Sequence, residues 1–589
     1  MRKLLPPLIS LFLLLISCRK EQNEWIRINQ LGYRPSDIKM AVFISRGNHS
    51  LNSFRVVNAN SGKTILDKKD PVKTAPMEPY GNCYRLPFSE ITEEGYYRIE
   101  AGNAVSPGFR ISSNVYDGTA DFLLNYMRQQ RCGFNPFIKD SCHIHDGYII
   151  YGGKDDSVHI DVTGGWHDAA DYLQYVATSA NATYQMLFAF SQNPGSFGDN
   201  YLANGLPGKD SIPDILNESK WGLDWLIKMN PEPGIMYNQI ADDRDHIGFR
   251  FPDKDTAYYG KDKERPVYRC TGKPQGLFKY KNRATGIAST AGKFASAFAL
   301  GSKVYKEIDP EFSRKLLNKA VSAFRYGLEN PGACQTAPGT APYFYEEDNW
   351  VDDMELAAIE LFNITGDQAY LTYAVDFGRK ETVTPWMGAD TARHYQWYPF
   401  MNMGHPCIVS ADTQTVVKEE FLNNMKEGLQ RIKARGEKNP FLIGVPFIWC
   451  SNNLVTATLT QADLYRETSG DRSFAEMEAS LRDWLFGCNP WGTSMIVGLP
   501  GDGDYPDNTH SSYVVAGEQV PGGLVDGPVY STVFGSLKYI SLSKPDVYAP
   551  FQTRLAVYHD DYADYSTNEC TMDGTACLVY YLSALQSGN

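Results

Sequence analysis

The character of the chain changes once, near residue 113, and that change limits the fold more than any other feature of the sequence. Before it, short strand-forming runs dominate. Ile26-Arg27-Ile28-Asn29 alternates, and 39–44 and 96–100 are short apolar or alternating stretches. Turn-forming groups such as Asn60-Ser61-Gly62 and Glu94-Gly95 separate them. This pattern predicts a small β-sandwich over 25–112. After Asn114 the apolar period lengthens to that of helices, in 117–130, 178–190, 212–229, 288–306, 310–328, 353–364, 367–377, 417–433, 454–468, 473–486 and 569–585. Gly366-Asp367 and Gly470-Asp471 mark junctions between successive helices. No fixed short repeat relates these segments, which excludes a simple solenoid. Eleven helices with long loops between them, notably 238–281 and 498–548, predict an all-α barrel or superhelix over 113–589. Loops of that length in a compact domain concentrate function.

The first residues read as a targeting segment. Arg2 and Lys3 precede an apolar run, 4–16, that contains Pro6 and Pro7. It is too short to cross a bilayer and fits the apolar region of an export peptide. It ends in Leu15-Ile16-Ser17-Cys18, which resembles a bacterial lipobox. On that reading 1–17 is removed, Cys18 carries lipid, 18–24 is a linker, and the protein is anchored in the cell envelope. The outer membrane is the expected site, on its surface or its periplasmic face. Ordinary cleavage after a small residue is the alternative. Of eleven cysteines, the ten besides Cys18 are scattered, and most are expected to be free, buried and apolar in behaviour. A net charge of −13 disfavours general nucleic-acid binding. Aromatic residues, 13% of the chain, suit either a large core or a cleft that stacks on sugars.

Two acidic clusters stand out. In Gly164-Gly165-Trp166-His167-Asp168-Ala169-Ala170-Asp171-Tyr172, the start of a helix would place Asp168 and Asp171 one turn apart on one face. The second cluster runs from Asp560 to Glu569. Each also reads as a helix cap. Together they offer a pair of carboxylates, one ionised to activate water and one protonated to release a leaving oxygen. Cys132, Cys142, His143 and His167 offer two thiolates and two imidazoles, a set that suits tetrahedral zinc, although the spacing is not that of a zinc finger. Two buried thiols and surface histidines are the plainer alternative.

In these motifs the chain resembles glycoside hydrolase family 9, in the branch with an N-terminal immunoglobulin-like domain. The resemblance runs from 26–33, through Gly164–Tyr172, 211–216, 353–367, 488–494 and 520–528, to Tyr565-Ser566-Thr567-Asn568-Glu569. It implies an (α/α)6 barrel that hydrolyses β-1,4-linked glucans with inversion. Asp171 becomes the general base, Asp168 a holder of the attacking water and Glu569 the general acid. His510, Trp449 and Tyr565 become substrate-binding residues, with Trp350, Tyr395, Trp397 and Tyr398 as further cleft aromatics; His559 is expected to be exposed. The resemblance also implies a structural zinc held by Cys132, Cys142 and His143, with His167, His145 or His159 as the fourth ligand and His167 preferred. Calcium is common in the family, but its ligands are not legible here. Three departures stand out. Ala170 replaces a glycine, and in 506–512 only His510 of the family's Pro-His-His-Arg remains, with Ser511 and Ser512 in place of the second His and the Arg. Tyr562 also stands where many members have Arg.

These features imply a membrane-anchored, endo-acting β-1,4-glucanase on cellulose-like chains, mixed-linkage glucan or xyloglucan. The alternatives are an exo-acting β-glucosidase or glucosaminidase, and a weakly active glycan-binding lipoprotein. The sequence gives no oligomeric state. Metabolic labelling with a lipid precursor is expected to mark the mature chain at Cys18; no incorporation excludes the anchor.

Overall fold

A computed structural model describes residues 22–47, 50–538 and 540–588; Cys18 lies outside them. The N-terminal part is a sandwich of two antiparallel sheets. Its strands are β1 (Glu24–Arg27), β2 (Met40–Ser45), β3 (Ser53–Asn58), β4 (Thr64–Lys69), β5 (Val72–Lys73), β6 (Asn82–Pro87), β7 (Gly95–Ala101), β8 (Ala104–Val105) and β9 (Phe109–Ile111). One sheet has the order β1-β2-β6-β5, and the other β4-β3-β7-β8 with β9 on β7. Ile26, Ala41, Phe43 and Leu86 of the first sheet meet Phe54, Val56, Ile99 and Phe109 of the second.

The continuous apolar run of β2 has a physical cause. All six of its residues are buried, because the first sheet is covered on both faces. Val42, Ile44 and Cys83 point away from the sandwich core and join the core of the helical domain. Polar contacts fix this junction. Arg85 donates to Pro440 O, Glu476 and Ser480, each at 3.0 Å. Asn29 donates to Asp483 at 2.9 Å, and Gln30 donates to Gly492 O at 2.7 Å.

The remaining helices are α1 (Thr119–Gln129), α2 (Val176–Gln192), α3 (Asp214–Met229), α4 (Ala288–Tyr305), α5 (Pro310–Glu329), α6 (Val351–Thr365), α7 (Gln368–Gly378), α8 (Gly404–Ser410), α9 (Thr415–Gly436), α10 (Ser451–Ser469), α11 (Ala475–Leu485), the short α12 (Ser512–Val515) and α13 (Ser531–Ser536), and α14 (Met572–Ser587). Helices α2, α4, α6, α8, α10 and α14 pack each against the next, and α14 closes on α2. Outside this ring α3, α5, α7, α9, α11 and α1 each back one inner helix. The result is an (α/α)6 barrel. Local chemistry sets its punctuation: Asp309 caps α5 ahead of Pro310, Gly366 ends α6 at φ 72°, and Asp367 caps α7. Inner helices such as α2 are buried all round, whereas α9 buries only a stripe.

Among the described residues the barrel has twelve helices rather than the eleven read from periodicity. The missed one, α8, has seven residues, Gly-His-Pro-Cys-Ile-Val-Ser, too few for a helical period to show. The long segment 238–281 also proves partly ordered. Its strands β14 (Tyr237–Ile240) and β15 (Pro266–Arg269) pair with each other, with β13 (Gln174–Tyr175) on one side and β12 (Tyr148–Ile150) on the other. Two further short strands, β10 (Gly133–Asn135) and β11 (Asp140–Cys142), form a hairpin beside them.

Candidate active site

The segment 164–172 does not open the helix that would set its two aspartates one turn apart. Helix α2 starts only at Val176, and the Asp168 N–H bonds forward to Leu173 O at 2.9 Å, which closes a loop and not a helical turn. Gly165 sits at φ +70°, and a Cβ there would stand 2.6 Å from the Trp225 ring. The two aspartates therefore diverge. Asp168 turns inward, only 2% exposed, and accepts hydrogen bonds from Thr178 Oγ1 at 2.5 Å and from Tyr345 OH. Asp171 faces the opening. Its Oδ1 accepts from Leu173 N–H at 3.1 Å, and its Oδ2 lies 3.2 Å from His246 Nε2.

Glu569 reaches the same place from the other end of the chain. Its Oε1 accepts the Ala170 N–H at 3.0 Å. Its backbone is held by Asp526 N–H, and the neighbouring Asn568 O by His510 N–H. The loop carrying Glu569 is braced from within. Asp564 accepts from Ser566 and Thr567 and bonds His559 Nδ1 at 2.8 Å. His559 is thus buried, at 6% exposure, and not a surface residue as the sequence reading expected.

The environments push the two facing carboxyls apart. Burial, reinforced by the charge of Asp171, raises Glu569 to about 8 despite the Ala170 N–H. Burial also works against Asp171, but the hydrogen bond and charge of His246, with the Leu173 N–H, outweigh it and hold Asp171 below the ordinary carboxylate value. Burial lowers and Asp171 raises His246, with a net rise to about 9. The His246 side chain is 41% exposed, so solvent screens part of this coupling. Burial and Asp573 push Asp168 well above its usual range. The site can therefore present one ionised and one protonated carboxyl at neutral pH, as acid–base chemistry requires.

Rings surround these carboxyls in a continuous chain. Tyr562 meets Phe249, Phe249 meets His510, His510 meets Tyr565, and Tyr565 meets Trp449, with centroids 4.8–6.0 Å apart. From Trp449 the chain continues through His394 and Tyr343 to His246 at 5.3–5.8 Å. The three residues assigned to substrate from the sequence, Trp449, Tyr565 and His510, thus stand together. A groove of about 320 Å³ adjoins them, lined by Tyr343, Arg393, His394, Ile448, Trp449 and Tyr530. The other expected cleft aromatics serve packing. Tyr395 is buried, stacked under Tyr345 at 4.0 Å, and its hydroxyl reaches Asp573; buried Tyr398 bonds Asn181; Trp350 packs on Phe377, and Trp397 on the core. Ser511 and Ser512 have structural partners: Ser511 caps α12, and Ser512 Oγ accepts the Arg250 N–H at 3.0 Å.

His246, Phe249, Tyr345 and Thr178 were not found from the sequence. His246 and Phe249 lie in the long 238–281 segment, whose length alone marked it. Nothing local distinguished Tyr345 or Thr178.

The structure brings Cys132, Cys142, His143 and His167 together, with one donor atom from each lying within 4.8 Å of the others. His167 Nε2 is 3.8 Å from Cys142 Sγ and 3.3 Å from His143 Nδ1. His143 Nε2 is engaged by Asp255 at 3.0 Å, which orients Nδ1 toward the cluster. His145 and His159 are not in this group. From Asp255, Arg250 bridges to Asp245, which accepts the Tyr172 N–H at 2.5 Å. The four-residue group is thereby tied to the segment bearing Asp168 and Asp171. Three further oxygens lie just before α6, in its first turn and after α7. Asn349 Oδ1, Asp352 Oδ1 and Glu381 Oε1 are buried oxygens without a donor among the described residues. Oxygen donors of this kind suit a hard cation.

The chain matches glycosyl hydrolase family 9 over residues 116–582 and the cellulase N-terminal immunoglobulin-like domain over 21–106. It is 26% identical to a cellodextrinase of Butyrivibrio fibrisolvens over 582 residues, covering 95% of this chain and 99% of that protein. Among solved structures it is similar to a metagenome-derived family 9 endoglucanase, with a TM-score of 0.75 at 25% identity, covering 96% of this chain and 99% of that one. It is likewise similar to a zinc-binding triple mutant of the family 9 endoglucanase J30, with a TM-score of 0.74 at 25% identity, over 93% of this chain and 99% of that one. The chain therefore belongs to glycosyl hydrolase family 9.

Proposed function

We propose that the protein hydrolyses β-1,4-linked glucans internally and with inversion, with Asp171 as general base and Glu569 as general acid. The observation that carries this reading is the geometry of two carboxyls at one opening, Glu569 against the Ala170 N–H and Asp171 beside His246, which favours opposite protonation. The Ala170 N–H occupies Glu569 Oε1, which leaves the proton to Oε2, the oxygen free to protonate a glycosidic oxygen. Asp171, kept ionised beside His246, takes a proton from water on the opposite side of the sugar. In inverting enzymes the two carboxyls stand about 6.5–9.5 Å apart to admit that water. Asp168 supports the water from beneath, its carboxyl fixed by Thr178 and Tyr345. Trp449, Tyr565 and His510 receive the sugar rings. The cellodextrinase relative, matched along nearly its full length, makes soluble cello-oligosaccharides the first substrates to test, ahead of mixed-linkage glucan and xyloglucan.

Zinc is the metal proposed for Cys132, Cys142, His143 and His167. Two thiolates and two imidazoles suit it, and four protein ligands leave no open position, so the ion would brace the loop and take no part in the chemistry. That a variant of the similar endoglucanase J30 binds zinc supports this choice. Calcium is proposed for the oxygens of Asn349, Asp352 and Glu381. Lipid at Cys18 would anchor the enzyme in the outer membrane, a reading supported by the sequence 15–18 alone.

Glu569→Gln and Asp171→Asn are each expected to lower kcat by about 10²–10⁴-fold on cello-oligosaccharides, with circular dichroism and Tm unchanged. Product analysis by NMR should show the α-anomer first. Near-normal rates in either variant overturn the assignment.

The pH profile has a definite sign. Asp171 must be ionised, so activity falls as pH drops through its lowered pKa; Glu569 must be protonated, so activity falls as pH rises through about 8. The His246 cation lowers both groups. His246→Asn should therefore move both limbs of kcat/KM upward, by about one pH unit given the exposure of the ring. An unmoved profile excludes the coupling.

Elemental analysis is expected to find zinc bound in the purified protein. Cys142→Ser should weaken zinc binding by at least about 10–100-fold and lower Tm. Full stability without zinc would exclude a structural role.

A further inference from the structure

His394 is the histidine of the ring chain around the site that the proposed mechanism leaves without a role. It lines the groove beside Trp449, and its ring is packed by Tyr343, Tyr345 and Tyr395, with centroids 4.9–5.3 Å away. Its plane stands at 82° to the indole of Trp449, centroids 5.8 Å apart. Its Nε2 is buried with no hydrogen-bond partner among the described residues. Burial, with nothing to offset it, lowers the imidazole to about 4, so the ring is neutral at working pH.

A neutral imidazole carries one N–H, and its place follows from cost. An N–H at Nε2 would be a buried donor without an acceptor, a loss of roughly 1–3 kcal/mol. The tautomer that avoids this puts the proton on Nδ1. Nδ1 is not among the buried unpartnered atoms, and His394 lines the groove. A β-glucosyl ring lying flat on Trp449 sends its equatorial hydroxyls outward, roughly in the plane of the indole. A ring standing across that plane beside the indole, as His394 does, can offer its N–H to those hydroxyls.

We propose that His394 is a specificity-determining residue, its neutral imidazole donating a hydrogen bond from Nδ1 to an equatorial hydroxyl of the sugar bound on Trp449. This rests on the β-glucan reading given above. It adds a polar selector beside the stacking face of Trp449. Such a contact acts at one sugar position, so it acts only on chains long enough to occupy it.

The test is calorimetric binding of cello-oligosaccharides of increasing length to the Glu569→Gln variant, which holds substrate uncut. Adding His394→Phe, which keeps the ring and removes the N–H, is expected to weaken binding by about 3- to 10-fold for long chains. The shortest chain that binds should be unaffected. His394→Gln, which restores an N–H, should bring long-chain affinity back to within about 3-fold. Equal binding by the Phe variant at every length overturns the proposal, and so does uniform weakening at every length, which would show a packing role. Failure of the Glu569→Gln parent to bind any cello-oligosaccharide would instead overturn the substrate reading itself. Matching Tm values across the set establish that each variant is folded.

Discussion

The active site depends on one hydrogen bond, from the Ala170 N–H to Glu569 Oε1. It joins the start of the barrel to its end, across 399 residues of sequence. It places a carboxyl that burial keeps protonated beside one that a histidine keeps ionised. Neither state is intrinsic to the residue: both are carboxylic acids with similar pKa values in water. The difference comes from what surrounds them, and the surroundings exist only if both loops are held still.

Much of the polar structure serves that purpose. The Glu569 loop is pinned from inside by Asp564 and His559 and from outside by His510 and Asp526. The Asp171 loop is pinned from the four-residue Cys/His group through Asp255, Arg250 and Asp245. Arg265 adds a buried clamp, with its Nη2 2.7 Å from both Asp146 and Gln174. Charged groups so deeply buried are costly unless paired. Here they are paired with each other and with loop backbone, and what they contribute is position. The sandwich takes part more remotely, because one of its sheets completes the core of the helical domain and so cannot be a detachable appendage.

How much of this was legible followed the range of the interactions. The outer helix α5 announces itself by an Asp cap, a following proline and an apolar stripe, all local features. The seven-residue α8 does not, because its length is below the period that would reveal it. The segment 164–172 offers a helix start that the structure does not take. Its glycines and aspartates suit a helix N-terminus, and only contact with Trp225 and the return bond to Leu173 show that the chain turns instead. Tyr345 and His246 were missed for the same reason: each acts on an aspartate distant in sequence.

By itself the sequence determined the two-part architecture, the family and the residues able to do acid–base chemistry, because periodicity, caps and motif order are properties of neighbours along the chain. Only the tertiary structure decided which aspartate faces the opening and which is buried. It also decided which rings line the cleft and which carboxyl holds a proton. Those properties are set by burial and by charges brought close in space, and a linear sequence records neither.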